Sequence, residues 1–531
     1  MRNIIISIGM LSLLAGCSSQ QFGMNHQMNG MQHGNGMMGG DQAEADGILP
    51  GQKTDVSSLP EAKQTSTIDV QDGQTISLNP TLVRKTIDGK EMVMYGYNGE
   101  IPGPLLKVKQ GSTFTVNVKN NIDLPTTIHW HGLRLDNAND GAEGLTQDVI
   151  NPGGKYSYTV KVPDEGIYWY HTHVREDLQQ PMGLYGNILV APKDSSAYST
   201  VNREAVLAIN DLLLDNNGTP VPFGASGPDH TLMGRFGNTL LVNGSDDYRL
   251  NVSKGDVIRF YLTNTANTRT FKIDFDGAKM KLVGGDNGRY EMEQFVDSVI
   301  LAPSERVIVD VLFSTTGTTR ITHRTPERSY ELGNVEVSSG NASPSYSQEF
   351  LALAAHEDVS RDVDAFRSSF DKVPDHTLVL DMSMMGGMGG GMGGMMGAPS
   401  KDGIEWEDNG ISGMQMGNMM QWKMIDQETG AANDKLVYTA KVGDKVKIRI
   451  INKQDSPHPM QHPIHFHGQR FLVLSDNGVQ NTNFVWKDTT LVPAGHTVDI
   501  LLDVSNPGDW MFHCHIAEHL GSGMMGLLRV Q

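Results

Sequence analysis

The sequence predicts an all-β protein of three consecutive, related domains. In GSTFTVNVKN (111–120) and KYSYTVKV (155–162), apolar and polar residues alternate between turns rich in Gly, Pro and Asn. This period of two is typical of strands with one buried face, and its recurrence at short spacing favours a β-sandwich or barrel. One order of motifs also occurs three times along the 531 residues, which indicates repeated domains.

The repeated unit is a strand, a polar turn and a second strand, followed by a paired motif and a Pro-containing turn into a further strand. The paired motif reads HWHG at 129–132, DFDG at 274–277 and HFHG at 465–468. Because the middle repeat lacks the paired histidines, we expect metal chemistry between the first and third domains, with the second as a spacer. The repeats predict domains at 66–195, 200–375 and 376–531.

Residues 1–17 are predicted to be a lipoprotein signal peptide. Arg2 precedes an apolar run that is too short to cross a bilayer as a stable helix. The run ends in Leu14-Ala15-Gly16-Cys17, which resembles the lipobox in which the cysteine is acylated and becomes the mature N-terminus. We therefore expect an exported protein of the periplasm or cell envelope, anchored in the membrane through lipid on Cys17. The alternative is an ordinary signal-peptidase site with an incidental cysteine.

Residues 18–65 are predicted to form a disordered tether. They are rich in Gln, Gly, Asn and Met and offer little to bury. The tether also carries His26 and His33 among five methionines, for which the sequence indicates no definite role.

The net charge of the chain is −19, which argues against a nucleic-acid partner because such partners require a basic face. An acidic surface suits the attraction of cations, although solubility alone would explain it. We expect the protein to be a monomer.

Ten of the 18 histidines lie in four clusters: HWH (129–131), HTH (171–173), HPIHFH (462–467) and HCHIAEH (513–519). In an extended strand, residues i and i+2 point to the same face, so each His-x-His pair presents two imidazoles to one side. A single such pair is often only two polar positions on a solvated strand. Four clusters, at matching places in two repeats, indicate metal binding.

The segment HCHIAEHLGSGM (513–524) contains Cys514, one of only two cysteines. If Cys17 carries lipid, Cys514 has no disulfide partner in an exported protein. Binding a metal ion is then the obvious role for the Cys514 thiol. Strand alternation sends the Cys514 side chain to one face and both flanking imidazoles to the other, so the cysteine can bind one metal while its neighbours bind others. Two His, one thiolate and a weak axial Met describe a blue-copper electron-transfer centre, whereas zinc or iron–sulphur sites would favour more thiolates.

Taken together, residues 66–531 resemble the three-domain multicopper oxidases, whose H-x-H-G, H-x-H, H-x-x-H-x-H and H-C-H-x3-H-x4-M motifs occur here in that order. The resemblance implies three consecutive cupredoxin-like Greek-key β-barrel or sandwich domains and four copper ions. By the same resemblance, type 1 copper would be held by His462, Cys514, His519 and Met524, and type 2 copper by His129 and His465. The type 3 pair would be held by His131, His171, His173, His467, His513 and His515.

The resemblance also implies the reaction, in which a substrate gives single electrons at the type 1 site and O2 is reduced to water by four electrons. These electrons would pass through Cys514 to His513 and His515. Asp140, in HWHGLRLDNANDG, matches the carboxylate that the family places beside its copper cluster, and we expect it to donate protons. The alternative is a turn residue, because Asp before Gly is common turn chemistry.

Two positions depart from the family pattern. Leu520 follows His519 where some bacterial relatives carry an acid implicated in proton supply, which puts that second route in doubt. His458 stands four residues before His462, where bacterial cuprous oxidases carry an aspartate beside the substrate site. Met460 matches their substrate-site methionine.

Methionines are concentrated between Met382 and Met424, where 12 of the 29 lie, many of them among glycines. Thioethers are soft ligands that favour Cu(I), and bacterial periplasmic cuprous oxidases of copper tolerance are the relatives with such an insert. We therefore expect oxidation of Cu(I) to Cu(II). The glycine-rich half looks too flexible to pack as core, whereas 414–424 could be partly buried; simple disorder is the alternative interpretation. The substrate-binding candidates are Met460, Met414, Met416, Met419 and Met420.

Three other functions fit parts of the sequence. One is a laccase-like oxidase of phenols or other small reductants, with the insert as a lid. Another is a copper-sequestering envelope protein whose oxidase activity is incidental. A third is a cupredoxin scaffold without catalysis, which the complete set of metal ligands argues against.

Overall fold

The computed structural model describes residues 47–225, 227–384, 401–408 and 420–531. Strands account for 48% of the described residues and helices for 7%, which confirms the all-β prediction. The helices of the described ranges are short: α1 (Glu176–Gln179), α2 (Ser347–Leu351), α3 (Glu357–Arg367) and α4 (Ala517–Gly521), with single 3-10 turns at Val56–Ser58, Asn137–Asn139 and Asn433–Lys435. Among the residues described, no helix has the length and apolar character needed to cross a bilayer.

The first group of strands forms a five-stranded sheet of order β1-β5-β10-β9-β7, a three-stranded sheet of order β2-β6-β8 and the hairpin β3-β4. The strands are β1 (Thr67–Val70), β2 (Thr75–Ser77), β3 (Pro80–Ile87), β4 (Lys90–Tyr97), β5 (Leu105–Lys109), β6 (Thr113–Lys119), β7 (His129–His131), β8 (Lys155–Lys161), β9 (Gly166–His171) and β10 (Tyr185–Ala191). Alternate residues of β6, namely Phe114, Val116 and Val118, are buried in one apolar core. The alternation read from the sequence therefore marks the inner face of this strand.

The second group forms a six-stranded sheet of order β12-β11-β14-β19-β16-β17 and a five-stranded sheet of order β13-β21-β20-β15-β18. A separate apolar core fills the space between them. The strands are β11 (Arg203–Leu212), β12 (Thr239–Val242), β13 (Tyr248–Lys254), β14 (Val257–Asn264), β15 (Phe271–Phe275), β16 (Lys279–Gly285), β17 (Gly288–Val296), β18 (Val299–Leu301), β19 (Arg306–Leu312), β20 (Gly317–Arg324) and β21 (Ser329–Asn341).

The third group repeats that strand order, with sheets β23-β22-β25-β30-β27-β28 and β24-β32-β31-β26-β29. Every strand of the second group thus has a counterpart in the third. The strands are β22 (His376–Met384), β23 (Met420–Asp426), β24 (Val437–Ala440), β25 (Lys445–Asn452), β26 (His462–Phe466), β27 (Arg470–Asp476), β28 (Val479–Gln480), β29 (Thr489–Val492), β30 (Thr497–Asp503), β31 (Gly508–Cys514) and β32 (Met525–Val530).

The predicted disordered tether is too long at its C-terminal end. Residues 47–65 are ordered, and Ile48 exchanges two backbone hydrogen bonds with Phe223, of 2.7 and 2.9 Å. Ile48 and Leu49 also pack against the first apolar core. Composition averaged over the whole polar segment hides these two apolar residues, which is why the prediction was wrong here. The signal peptide with Cys17, and tether residues 18–46, lie outside the described residues.

The predicted bounds of the methionine-rich insert also need correction. Its first and last residues belong to β22 and β23, which pair antiparallel over seven positions from Leu378–Asp426 to Met384–Met420. The third group of strands encloses a third apolar core, and Met382 and Met424 are buried in it, so these two methionines pack as ordinary core residues. The candidates Met414, Met416 and Met419 lie outside the described residues, and Met420 is described only as the first residue of β23.

Candidate metal centres

His462, Cys514 and His519 converge at the end of the third domain, and we name them the cysteine group. Ile464 of β26 pairs with Cys514 of β31, which brings His462 alongside, while His519 comes from α4. The Cys514 Sγ lies 3.4 Å from Nδ1 of His462 and 3.6 Å from Nδ1 of His519, and the two nitrogens are 3.3 Å apart. The centre of such a triangle is about 2 Å from each corner, the length of a metal–nitrogen or metal–sulphur bond.

The cysteine group is shielded from solvent. All three side chains and Met524 are fully buried. The Cys514 N–H donates to the Met524 carbonyl (3.1 Å), so the methionine lies next to the cysteine. Trp422, which the sequence did not single out, packs its ring 4.3 Å from that of His519 and 4.8 Å from that of His462. Burial raises the pKa of the Cys514 thiol, so a bound cation would be needed to stabilise the thiolate.

Eight further histidines converge between the first and third domains, and we name them the histidine group. Strand register explains the convergence: His129 pairs with His171 across β7 and β9, and His465 pairs with His513 across β26 and β31. All eight are buried. Their ring nitrogens form three sets with atoms within 4.8 Å of one another: His129, His131 and His465; His131, His171 and His515; His173, His467 and His513.

Hydrogen bonds orient most of these rings so that one nitrogen is left for a metal. The Nδ1 atoms of His129 and His465 donate to the carbonyls of Asp140 and Asp488, both at 2.9 Å. The Nε2 atoms of these two histidines have no hydrogen-bond partner in the described part of the chain. An unpaired buried polar atom costs roughly 1–3 kcal/mol, so the convergence of such atoms fits bound ions.

His467 and His513 provide a second test of fit, because their Nε2 atoms face each other at 3.0 Å. Each ring already donates its Nδ1–H, His467 to the Asp140 carboxylate and His513 to the Cys514 carbonyl. Burial lowers the pKa of both imidazoles well below the ordinary value, so both are neutral. Two lone pairs at this separation repel each other, and a shared cation would remove the repulsion.

Cys514 and its neighbours face different groups. The cysteine belongs to the cysteine group, whereas His513 and His515 belong to two different sets of the histidine group. One strand, β31, therefore joins the two candidate metal centres through a few covalent bonds.

Asp140 lies both in a turn and beside the histidine group. It follows the 3-10 turn Asn137–Asn139. The next residue, Gly141, allows the chain to pass close to Ile128, because a Cβ there would lie 1.9 Å from the Ile128 carbonyl oxygen. Its Oδ2 accepts from Nδ1 of His467 at 2.8 Å. Burial alone would raise the pKa of this carboxyl, but the contacts with His467 and His129 outweigh burial and hold the pKa well below the ordinary value.

Asp488 is a site residue that the sequence analysis missed. Its Oδ1 accepts from Nε2 of His131 at 2.9 Å, and its carboxylate receives two hydrogen bonds from Arg306 of the second domain. Burial would raise the Asp488 pKa, but Arg306 outweighs this and holds it well below the ordinary value. The available signal was an Asp that recurs before the Pro-containing turn of each repeat, in QDVINP, VDSVILAP and KDTTLVP. The contact from Arg306 also corrects the expectation that the second domain is only a spacer.

Three family models, each described as multicopper oxidase, match residues 81–195, 205–320 and 404–531. The chain belongs to the multicopper oxidases. Its three domains are cupredoxin-like, and it is an oxidoreductase. Multicopper oxidases bind four copper ions of types 1, 2 and 3, and the cysteine and histidine groups offer donor sets for such ions.

Several multicopper oxidases and laccases are similar over most of their length. "Multicopper oxidase mco" of Staphylococcus aureus is 26% identical over 447 residues, which covers 82% of this chain and 83% of that protein. A laccase of Arthroderma benhamiae is 25% identical over 488 residues, covering 81% and 72% respectively. The solved structure of a multicopper oxidase from Campylobacter jejuni, described as a metallo-oxidase, superposes with a TM-score of 0.67 at 24% identity, over 92% of this chain and 98% of that one.

Proposed function

We propose that this multicopper oxidase is a cuprous oxidase, which couples the one-electron oxidation of Cu(I) to Cu(II) to the reduction of O2 to water and acts in copper tolerance. The observation that carries the proposal is a buried histidine, His458, whose ring lies 6.2 Å from that of Trp422, a residue that packs against the cysteine group. Its two ring nitrogens have no hydrogen-bond partner within the described ranges, although the side chain is only 2% exposed.

The proposal assigns a copper type to each ligand. The cysteine group with Met524 would hold type 1 copper, and His129 with His465 would hold type 2 copper. Copper bound at these residues would supply one-electron redox chemistry, by which single electrons from a reductant are collected and O2 is reduced to water with four electrons. The type 3 pair would be held by His131, His171, His173, His467, His513 and His515.

Cys514 and Asp140 would serve electron and proton transfer respectively. His513 is bonded covalently to Cys514 and also donates its Nδ1–H to the Cys514 carbonyl at 2.9 Å, so two short paths join the two groups. Asp140 holds its Oδ2 against His467 at 2.8 Å. Because its pKa is held well below the ordinary value, Asp140 would act as an ionised carboxylate that accepts each proton and passes it on to the histidine group.

Support for Cu(I) as the reductant comes from the residues around the cysteine group. The ring of His458 lies 6.2 Å from that of Trp422, which in turn contacts His462. Met460 is fully buried in the same apolar core as Cys514. An unpaired imidazole and a nearby thioether are ligands that suit Cu(I). The Campylobacter jejuni protein, which has the same fold, is described as a metallo-oxidase.

His458→Ala tests this proposal, with His496→Ala as the matched control. His496 is a partly exposed histidine paired with Asp476, and it belongs to neither group. We expect His458→Ala to raise KM for Cu(I) about tenfold, equivalent to losing roughly 1.4 kcal/mol of binding, while rates with a phenol stay unchanged. Equal Cu(I) kinetics in the two variants would contradict the proposal.

We also propose that the methionine-rich insert recruits Cu(I) through its soft thioethers, and a deletion tests this role. Removing residues 388–398 together with 411–416 spares β22, β23 and the segment 401–408, in which Ile404 and Trp406 are buried. We expect loss of Cu(I) turnover, with activity on bulky phenols kept or raised. If Cu(I) oxidation survives the deletion unchanged, the insert does not recruit the ion.

A laccase-like oxidase of phenols is the second candidate, because relatives named laccases match over most of the chain. Steady-state rates with Cu(I), Fe(II) and a phenol, measured side by side on copper-loaded protein, separate the two functions. A copper-sequestering role would instead appear as tight binding of several Cu(I) ions that persists in Cys514→Ser.

We also propose that the protein is exported and anchored through lipid on Cys17, which rests on the signal sequence and lipobox alone. Cys17→Ala should move the protein from the membrane fraction to the soluble fraction of the cell envelope. Continued membrane association of this variant would argue for an incidental cysteine.

A further inference from the structure

Arg306, the first residue of β19, is a fully buried arginine of the second domain that reaches the histidine group. Its five N–H donors meet five acceptors. Nε donates to the Ile167 carbonyl at 2.9 Å, Nη1 to the Ser304 carbonyl at 3.0 Å and to Asp488 Oδ1 at 2.7 Å, and Nη2 to Asp488 Oδ2 at 2.5 Å and Asn287 Oδ1 at 3.4 Å. Only a guanidinium offers this planar fork, so the position is specific for arginine.

The Arg306–Asp488 pair acts on two histidines of different domains. The Asp488 side chain accepts from Nε2 of His131, and the Asp488 carbonyl accepts from Nδ1 of His465. The rings of His131 and His465 stack with centroids 3.7 Å apart and planes inclined by 16°. A shift of Asp488 would therefore turn both rings together.

The backbone next to His131 is shaped around this pair. Gly132, the glycine of HWHG, has φ +84°, and a Cβ there would lie 2.3 Å from Asp488 Oδ2 and 2.8 Å from Arg306 Nη2. The corresponding glycine of the second repeat, Gly277, has φ +72° but nothing within 4 Å of an added Cβ. The glycine after the first His-x-His motif thus leaves space for Arg306 and Asp488 and also permits the turn.

We propose that the second domain, which carries none of the assigned copper ligands, supplies Arg306 as a positioning residue that fixes Asp488 and thereby the orientation of His131 and His465. Residues behind metal-binding histidines set the ring orientation, and their loss weakens metal affinity by about 10- to 100-fold. The second domain is then part of the trinuclear centre, that is, of the type 2 and type 3 ions proposed to bind the histidine group, through Asp488.

The test compares Arg306→Lys with Arg259→Lys in the full-length, copper-loaded protein. Arg259 is a matched control, since it forms a bidentate pair with Asp310 at 2.8 Å within the second domain that is also buried, with side-chain exposures of 4% and 1%, and it does not contact Asp488. We expect Arg306→Lys to weaken copper binding at the trinuclear centre by about 10- to 100-fold and to alter the type 2 electron paramagnetic resonance spectrum. The blue type 1 absorption should stay intact. Arg259→Lys should change only the unfolding temperature.

Two results would overturn the proposal: an unchanged type 2 spectrum and copper content in Arg306→Lys, or equal losses in both variants. Asp488→Asn keeps the shape of the side chain, and it should reproduce the type 2 change if Arg306→Lys fails to fold; an unaltered spectrum in this variant would also overturn the proposal. The inference rests on the copper assignments proposed above, which fail separately if the wild-type protein does not bind four copper ions. None of these readouts depends on the identity of the reductant.

Discussion

The second and third domains have the same strand order, yet only the third contributes assigned copper ligands. β15 of the second domain pairs Ile273 with His323 and Asp274 with Thr322, whereas β26 of the third pairs Ile464 with Cys514 and His465 with His513. His323 therefore occupies the register position of Cys514. Matching backbones do not decide the chemistry; the side chains on two adjacent strands do.

The paired motifs of these two domains also differ in their partners. Asp274 and Asp276 bind Arg324 of β20 at 2.8 and 2.9 Å, and the arginine side chain is 49% exposed. The equivalent histidines, His465 and His467, are fully buried and share sets with imidazoles from the first domain. The second domain thus uses this strand pair for surface ion pairs, and the third uses it for a dry site that needs a neighbouring domain.

Among variants that compare the second and third domains, we expect the largest effect from Cys514→Ser. Its control is His323→Ser, at the matching strand position of the second domain. Cys514→Ser should abolish the blue absorption and reduce oxidase activity to background, because it removes the thiolate that we propose binds type 1 copper. His323→Ser should keep both, at a stability cost of about 1–3 kcal/mol. Absorption spectra and oxygen consumption measure the outcome, and a colourless His323→Ser with full copper content would break the comparison.

A smaller effect is expected for Asp140→Asn, with Asp276→Asn as its control in the second domain. The amide retains the size of the carboxyl but cannot transfer a proton, so the rate of oxygen reduction should fall about 10²- to 10⁴-fold. Type 1 colour should persist in both variants, and Asp276→Asn should turn over normally. Wild-type oxygen consumption by Asp140→Asn would leave only the turn role for this residue.

Gly132→Ala and Gly277→Ala compare the glycine that ends the paired motif in the first and second domains. Both positions have positive φ, which costs about 1–2 kcal/mol for alanine. At Gly132 the added methyl also meets Asp488 and Arg306, so we expect a further loss of about 1–3 kcal/mol and weaker copper binding. Chemical denaturation and copper analysis measure the difference, and equal losses in the two variants would argue against a tight fit at Gly132.

The smallest effect is expected for Arg324→Ala, which removes the ion pairs of the second domain. An ion pair this exposed contributes about 0–1 kcal/mol, so stability should change little, and copper content and activity should remain at wild-type values. A loss of copper in this variant would show that the exposed face of the second domain matters to the metal centres.

The sequence by itself was sufficient for the all-β class, the threefold repeat and the residues that converge in the two groups. Strand alternation is a local property, and His513, Cys514 and His515 are adjacent, so their division between two groups follows from the pleat alone. The repeated Asp before the turn could have indicated Asp488, but its role could not be read from sequence.

Only the tertiary structure decided which residues hydrogen-bond to the proposed metal ligands. His131 and Asp488 are 357 positions apart, Arg306 and Asp488 are 182 apart, and the three come from three different domains. The ordering of residues 47–65 and the burial of Met382 and Met424 depend likewise on partners distant in the chain. Local patterns report the direction in which a side chain leaves its own strand, whereas the group that it meets is set by how separate sheets pack together.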